Sequence, residues 1–269
     1  METYYHKPTE RPLSDAVQFF WQINRCNADF TKETIVPKGV VEVIFNFLPE
    51  EPLRARLYQK HLVMPRCFIQ GYHNYPIELA LPESQFLFGV VLHTVATQHI
   101  LRVPAGELAR QCIDLTLIDA SLNSLWHQLA EQKTFWHRVS LFSGWLLKRL
   151  PGLTPREHAL NDLLTSKTDM LLSVSGISEW LCYSPRHLCR KFYALTGMNA
   201  EQTLLYLKYR KAIDMIHYSG LSLTEIAYAC QFSDQSHFIK TFKSFVNLTP
   251  GEYRNKKSEI VGHCFEVVR

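Results

Sequence analysis

The sequence of 269 residues contains no long hydrophobic run. A transmembrane helix needs about 18 or more consecutive apolar residues, and no stretch of that kind occurs. Residues 1–12 are charged and lack the apolar centre of a signal peptide. The sequence therefore predicts no membrane partner and a cytoplasmic location.

Paired cysteines are also absent. The cysteines are scattered and form no C-x-x-C pair, so the sequence offers neither a zinc ribbon nor a thioredoxin-type motif. Their odd number favours reduced, mostly buried thiols over a disulfide framework. The seven cysteines are Cys26, Cys67, Cys112, Cys182, Cys189, Cys230 and Cys264.

The usual fingerprints of catalysis are missing. No G-x-S-x-G element, Walker loop or dinucleotide fingerprint occurs, so we expect no enzyme, no cofactor and no metal. The alternative is a metal-dependent enzyme, or a DNA-repair methyltransferase-like protein that carries a helical DNA-binding module. Cys26 and Cys67 do not supply the cysteine set that such a methyltransferase needs. The histidines that a metal site would use lack H-x-H or H-x-x-x-H spacing, and they are His61, His73, His93 and His99.

Basic residues are concentrated near the C-terminus. The net charge is +4, and residues 184–257 hold 11 Lys or Arg against 5 Asp or Glu. The other 195 residues hold 18 basic and 20 acidic side chains. A basic block on a nearly neutral body suits an anionic partner such as DNA phosphate, although a solvated basic face has the same composition.

Residues 1–100 contain short strand-like runs. Pro37-Lys38-Gly39 is a turn signal, and the next residues are dense in β-branched and aromatic side chains. Further runs at 67–70, 77–81 and 86–93 are separated by glycine and proline, which predicts a small barrel or sandwich. The aromatic side chains here are interpreted as core, with a ligand pocket as the alternative. They are Trp21, Phe45, Phe47, Phe68, Tyr72, Phe86 and Phe88.

The apolar period then changes from two to three or four. Residues 122–129 and 135–146 predict two amphipathic helices within a helical region near 106–150. The apolar stripes of these helices either pack on the β domain or form a dimer seam through Trp126, Leu129, Phe135 and Phe142. Prolines near residue 153 end this region. We therefore predict an α+β fold with a β-rich sensor or dimerisation domain at 1–153, an all-α domain at 154–257 and a tail at 258–269.

The all-α region contains a repeated unit. Residues 187–192 match residues 237–242 fifty positions further on, whereas the preceding helices are offset by forty-nine. Each copy predicts a short helix, a tight turn and a second helix with one apolar and one polar face. Residues 200–219 form the connecting helix, which opens with the capping box Asn199 and Gln202. Its length of roughly 30 Å approaches the ~34 Å between successive major grooves, so it either spaces two recognition helices or serves only as core.

The repeated unit resembles the DNA-binding domain of the AraC/XylS family of bacterial transcription regulators. The resemblance covers about eighty residues and implies two helix-turn-helix units that read DNA. The N-terminal half is more loosely similar to a sensor-like domain that often precedes this module. The matching segments are Ser184-Pro185-Arg186-His187-Leu188-Cys189-Arg190-Lys191-Phe192, Thr196-Gly197, Leu221-Ser222-Leu223-Thr224-Glu225-Ile226-Ala227, Phe232-Ser233-Asp234-Gln235-Ser236-His237-Phe238 and Leu248-Thr249-Pro250-Gly251-Glu252-Tyr253-Arg254.

The sequence departs from the family pattern at three positions. Cys182 and Gln231 stand where the family usually has glycine, and Lys208 stands where arginine is usual. If the two turn positions have left-handed geometry, a residue other than glycine costs about 1 kcal/mol at each. None of these departures removes a side chain that would read DNA.

The resemblance also implies the residues that contact DNA. Arginine can span guanine O6 and N7, and glutamine can pair with adenine, so the first unit is expected to carry most of the specificity. The candidates for base contact are Arg186, Cys189, Arg190, Gln235, Ser236, His237, Ile239 and Lys240. The candidates for phosphate contact are Lys191, Lys208, Arg210, Lys211, Lys243, Arg254, Lys256 and Lys257.

The expected partner is double-stranded DNA. RNA polymerase, a small-molecule effector of the N-terminal domain and a second copy of the chain are further candidate partners. A protein–protein adaptor built from helical repeats is the alternative to a DNA reader, and the basic surplus argues against it. The effector, the target site and the choice between activation and repression are left open by the sequence.

Overall fold

The structure is a computed structural model, and it describes residues 2–26, 32–165 and 173–266. Antiparallel strands are the main regular secondary structure of its N-terminal half. The strands are β1 Glu2–His6, β2 Val17–Arg25, β3 Lys32–Ile35, β4 Val41–Asn46, β5 Arg54–Leu57, β6 Lys60–Val63, β7 Cys67–Gln70, β8 Ile77–Ala80, β9 Gln85–Leu92, β10 Cys112–Asp114 and β11 His263–Glu266.

Helices make up most of the rest, and short 3-10 helices occur at Ala105–Leu108 and Leu115–Leu117. In the described residues, no helix combines the length and the apolar character needed to cross a membrane. The α-helices are α1 Leu13–Ala16, α2 Thr94–Leu101, α3 Ser121–Ala130, α4 Phe135–Leu147, α5 Pro155–Thr165, α6 Val174–Trp180, α7 Pro185–Thr196, α8 Ala200–Tyr218, α9 Leu223–Ala229, α10 Gln235–Val246 and α11 Pro250–Lys256.

The strands form two sheets that do not close into a barrel. One sheet has the order β1-β2-β9-β4-β7-β10 and the other has the order β11-β3-β8-β5-β6. All their pairings are antiparallel. The predicted α+β class is confirmed, and the β-rich domain is a sandwich-like pair of sheets.

The larger sheet buries different residues on its two faces because side chains alternate along each strand. On β4, Val41, Val43 and Phe45 join the core beneath α3 and α4, whereas Ile44 faces the second sheet. The helical hairpin supplies the other half of the first core through side chains at helical spacing. These include Leu122, Leu125, Trp126, Leu129, Phe135, Val139, Phe142 and Leu146.

The prediction of a dimer seam on the hairpin is wrong. Trp126 is 8% exposed, Phe135 3%, Phe142 1% and Leu129 0%, so the chain's own core already covers all four. Trp126 also donates a hydrogen bond from Nε1 to the carbonyl oxygen of Asn46, at 2.9 Å. The apolar stripe therefore packs on the β domain, which was the other interpretation of the same pattern.

The N-terminal and C-terminal halves share a hydrophobic core. Val36 and Tyr72 pack with Tyr206 and Tyr209 of α8 in a cluster that continues into α9, α10 and α11. The C-terminal strand β11 pairs with β3, so the tail returns to the β domain. The division at residue 153 stays a prediction, and two of the cores cross it.

Candidate nucleic-acid interface

The first helix-turn-helix unit consists of α6 and α7. Ser173 and Ser184 cap the two helices, because each side chain accepts a hydrogen bond from a backbone N–H three residues further on. Ile177 of α6 packs in one cluster with Leu188 and Phe192 of α7. The apolar face of α7 is thereby fixed toward the core, and the opposite face lies in solvent.

That opposite face carries the base-contact candidates of the first unit. Arg186, Cys189 and Arg190 are all exposed, at positions three and four residues apart along α7. This spacing places them on one side of the helix. Lys191 is half-buried beside them. Both arginines therefore lie on the face that a recognition helix would present to the major groove.

The second unit, α9 with α10, repeats this layout. Asp234 caps α10 by accepting from the backbone N–H of His237 at 2.7 Å, and Phe238 and Phe242 are fully buried. The candidates for base contact divide by exposure. Gln235, Ser236 and Lys240 are exposed, whereas Ile239 is half-buried. The second exposed face therefore carries one lysine and no arginine among its candidates.

The ring of His237 faces the turn of its own unit. Its Nδ1 lies 3.0 Å from the hydroxyl of Ser233, and the ring meets Phe232 edge-on with centroids 5.5 Å apart. His187 stands at the equivalent position of the first unit and stacks on Tyr183 at 4.5 Å. Both histidines therefore brace the turn that precedes the recognition helix. The proposed base contact of His237 stays a prediction, and the ring already has these partners within the unit.

The turn residues that depart from the family pattern adopt left-handed backbone geometry. Cys182 has a φ of 52° and Gln231 a φ of 59°. Each follows a short helix whose last carbonyls accept hydrogen bonds from the turn, including that of Tyr228, to which the Gln231 N–H donates at 2.8 Å. Gln231 thus adopts a left-handed backbone conformation that glycine would adopt at lower free-energy cost.

Several phosphate-contact candidates are hydrogen-bonded within the chain. Lys208 and Lys211 of α8 donate to the carbonyl oxygens of Gln231 and Ala229 at 2.7 and 2.9 Å, at the C-terminal end of α9. Lysines stabilise the carbonyl end of a helix, so these two tie α8 to α9. Arg254 donates to the carbonyl oxygen of Leu221 at 2.8 Å.

The remaining phosphate candidates occupy different surroundings. Lys243 and Lys256 are exposed, and Lys257 is half-buried. The guanidinium of Arg210 donates to the carbonyl oxygen of Leu164 and lines a cavity between the two halves of the chain. The sequence did not indicate this role, because Leu164 and the N-terminal residues that line the cavity are distant along the chain from Arg210.

The cavity next to Arg210 has a volume of about 580 Å³. It lies between the inward faces of the two sheets and extends to α8, which contributes Arg210, Ile213 and Asp214. The C-terminal tail closes part of the same space through residues 260–263. Two side chains that the sequence assigned to core, Trp21 and Phe68, line the cavity. A space of this volume suits a small organic molecule.

Charged side chains at the tail end of the cavity form a local network. His263 Nδ1 lies 2.5 Å from Oε1 of Glu33, and its Nε2 lies 3.4 Å from Nζ of Lys38. Arg25 donates to Oε1 of Gln85, and burial lowers the pKa of this arginine while the carboxylate of Glu33 raises it. The tail is therefore bound to β3 by side chains as well as by the backbone.

The histidines considered for a metal site are dispersed. Among residues 2–26, 32–165 and 173–266, no group of three His, Cys, Asp or Glu side chains could hold a metal ion. His99 pairs with Glu157 at 2.8 Å. Burial lowers the pKa of His73 to about 3 and that of His93 to about 4, so both rings are neutral near pH 7.

Two family models match separate parts of the chain. Residues 177–256 match the family described as a helix-turn-helix domain, and residues 5–114 match a domain of unknown function, DUF6597. The chain is similar to the HTH-type transcriptional activator RhaS of Salmonella paratyphi B and of Salmonella newport, with 30% identity over 122 residues. These matches cover 43% of this chain and 44% of each relative, so the chain spans less than half the length of the curated relatives it matches.

Solved structures also align with this chain, over different lengths. Apo ToxT from Vibrio cholerae aligns with 88% of this chain and 97% of its own, at 13% identity and a TM-score of 0.49. An AraC-type transcriptional regulator from Chromobacterium violaceum aligns with 32% of this chain and 76% of its own, at 30% identity and a TM-score of 0.31. The resemblance to the AraC family that the sequence predicted is confirmed for the C-terminal helix-turn-helix domain.

Proposed function

We propose that the chain is a sequence-specific DNA-binding regulator of transcription that places α7 and α10 in adjacent major grooves. The observation that carries the proposal is the pair of capped recognition helices, each with a buried apolar face and an exposed polar face. They are joined by α8, whose 19 residues span roughly 28 Å. That length suits grooves about 34 Å apart on one side of the duplex. The proposal includes no catalytic step.

The two units are proposed to contribute unequally. Arg186 and Arg190 would each bond O6 and N7 of guanine, with Cys189 between them as a small neighbour. Gln235 would read adenine, while Ser236, His237, Ile239 and Lys240 would add weaker contacts. Lysines at exposed positions, such as Lys243, would bind phosphate, which positions the protein without specifying sequence. The first unit would then select the site, and the second would anchor the protein beside it.

The test begins with selection of bound sites from a random DNA library by the purified full chain. On the selected duplex, Arg190→Ala should cost about 1–3 kcal/mol and relax the preference at one guanine. Arg54→Ala removes an exposed arginine of β5 and serves as the matched control, with unchanged affinity expected. An unchanged footprint and affinity for Arg190→Ala would refute the assignment of this residue to base contact.

Phosphate contact has a different experimental signature. Lys243→Ala should weaken binding to every duplex by a similar factor and lower the slope of log affinity against log salt by about 1. Lys148→Ala, at the exposed end of α4, removes the same charge far from the proposed interface along the chain and should leave the slope unchanged. If both variants keep the original slope, Lys243 does not contact phosphate. Should the full chain show no salt-dependent DNA affinity at all, the adaptor alternative replaces the proposal.

Effector control is the second part of the proposal. The cavity is bounded by both sheets and by α8, the helix that joins the two recognition units. A ligand in this space would touch the DNA-reading half directly. We also propose activation, with RNA polymerase as a partner, by analogy with the relatives named as transcriptional activators. Self-association stays a proposal without an assigned surface, because the hairpin side chains first considered for it are buried.

A further inference from the structure

One wall of the cavity is formed by the indole ring of Trp21, which lies against a glycine of the neighbouring strand. Trp21 of β2 is the cross-strand partner of Gly89 on β9. A Cβ atom added to Gly89 would lie 2.0 Å from Cε2 of Trp21, so the indole ring rests against the bare backbone at this position. The glycine therefore allows Trp21 to lie across the sheet and to line the cavity.

Trp21 in turn orients a buried carboxylate. Its Nε1 donates to Oε1 of Glu42 at 2.6 Å, and the Glu42 residue is 4% exposed while lining the cavity. In the described part of the chain, no Lys, Arg or His side chain lies within 4 Å of the Glu42 carboxylate, which is the ion-pair distance. A buried charge without a counter-ion is costly, and proteins normally pair it.

A second polar group stands beside Glu42. Gln70 of β7 is its direct cross-strand partner, is 8% exposed and lines the same cavity. Other basic side chains of the wall contact groups other than Glu42. Arg25 binds Gln85, Arg210 binds the carbonyl oxygen of Leu164, and Nζ of Lys38 lies 3.4 Å from Nε2 of His263. The surrounding wall is mainly apolar and includes Ile23, Ile44, Met64, Phe68, Leu79 and Leu87.

We propose that the cavity binds an organic amine, with its ammonium group on the Glu42 carboxylate and its apolar body among the side chains of the two sheets. The ammonium supplies the missing positive charge, the Trp21 ring adds a cation–π contact, and the Gln70 amide oxygen is a further acceptor. The apolar wall argues against a sugar, whose many hydroxyl groups would each need a partner. This inference rests on the proposed function only in treating the cavity as the effector site.

Isothermal titration of the full chain with three matched probes tests the ligand class. Phenethylamine, phenethyl alcohol and hydrocinnamic acid share a phenyl ring and differ in carrying a cation, a neutral hydroxyl or an anion. The amine should bind about tenfold or more tightly than the alcohol, and the acid should bind most weakly. Equal affinities for the amine and the alcohol, or no measurable heat with the amine, overturn the proposal.

Variants locate the site. Glu42→Gln keeps the shape of the side chain and should erase the preference for the amine over the alcohol. Glu78→Gln makes the same change on the exposed β8 residue that pairs with Arg56, and it should keep that preference. Trp21→Phe serves if Glu42→Gln does not fold, because it removes the hydrogen bond to Glu42 and should reduce the preference severalfold. A full preference in a folded Glu42→Gln protein refutes the assignment.

The outcomes separate the ligand site from the regulatory role. Probe binding is measured without DNA, and DNA affinity is measured separately with and without phenethylamine. Glu42-dependent binding of the amine supports the inference even when DNA affinity does not change, and in that case the proposal of effector control fails. If the unsubstituted protein shows no preference for the amine but still binds DNA, the inference is refuted and the DNA-binding proposal stands.

Discussion

The left-handed turn of the second helix-turn-helix unit offers a direct test of the backbone argument. Gln231 has a φ of 59°, and its Cβ atom makes this conformation unfavourable by about 1–2 kcal/mol. Gln231→Gly removes that cost but adds unfolded-state freedom worth roughly 0.5–1 kcal/mol. The contacts of the turn are made by the backbone, namely the N–H to Tyr228 and the carbonyl to Lys208, and they survive the change. We therefore expect a net gain of about 0.5–1 kcal/mol.

Thermal unfolding measures this gain. A change of 1 kcal/mol shifts Tm by roughly 2–4 °C in a chain of about 150–250 residues, so Gln231→Gly should raise Tm by about 1–4 °C. Gln231→Ala is the matched control, because it removes the same side chain but keeps the Cβ atom and should show no gain. The same pair of substitutions at Cys182, whose φ is 52°, tests the first unit.

The result can refute the reasoning in two ways. A gain of equal size in the alanine and glycine variants would mean that the lost glutamine side chain, and not the backbone, controls stability. A lower Tm for the glycine variant would mean that unfolded-state entropy exceeds the steric cost of φ 59° at this turn. Either outcome would remove the physical account of why the family favours glycine here.

Two further predictions concern the contact between the halves. Burial lowers the pKa of His73 from 6.5 to about 3, so between these values the unfolded chain binds a proton that the folded chain does not, and stability falls as the pH falls. From pH 7 to pH 5 His73 should contribute roughly 2 kcal/mol to the loss measured by urea unfolding, so His73→Leu should lose about 2 kcal/mol less stability than the unsubstituted protein. Buried His93, whose pKa is also lowered, keeps its own share of the loss, and the exposed control His61→Gln should lose as much as the unsubstituted protein. An equal loss in both variants contradicts the assignment. Tyr209→Phe removes the hydrogen bond that the hydroxyl donates to the carbonyl oxygen of Pro37 at 3.1 Å, and it should cost about 1–3 kcal/mol because the buried carbonyl is left unpaired. Tyr193→Phe, at an exposed position, should leave the free energy of unfolding unchanged. Equal free energies of unfolding for the Tyr193→Phe and Tyr209→Phe variants would show that the Tyr209 hydrogen bond is dispensable.

Local features of the fold were predictable from the sequence. The capping box at Asn199 occurs as expected, because a cap needs only residues three positions apart. The connecting helix was predicted at 200–219 and is observed at Ala200–Tyr218. The exposed face of Arg186 and Arg190 also follows from helical period alone. The sequence-based prediction of the helix-turn-helix units therefore agrees with the structure to within a few residues.

Contacts between distant segments were not predictable. Nothing in the local sequence around Lys208 indicates that its Nζ will reach the carbonyl of Gln231, because the partner is fixed only when α8 packs on α9. The pairing of β11 with β3 joins residues more than two hundred positions apart, so four residues near the C-terminus looked like a tail. The sequence placed Glu42 in a strand but gave no sign that it would be buried beside a cavity. That burial depends on which face of the strand the second sheet covers.

The position of α8 links the cavity to the proposed DNA-reading surface. One face of this helix holds Tyr206 and Tyr209 in the shared core, another contributes Arg210 to the cavity, and Lys208 and Lys211 hold the end of α9. We expect a ligand that favours one placement of α8 to change the relative placement of the two proposed recognition units. Because binding free energies are reciprocal, DNA must then change the affinity for that ligand by the same factor. Titration of phenethylamine into the chain alone and into the chain bound to its selected duplex measures this factor, and a factor of one would show that α8 does not transmit the ligand's effect.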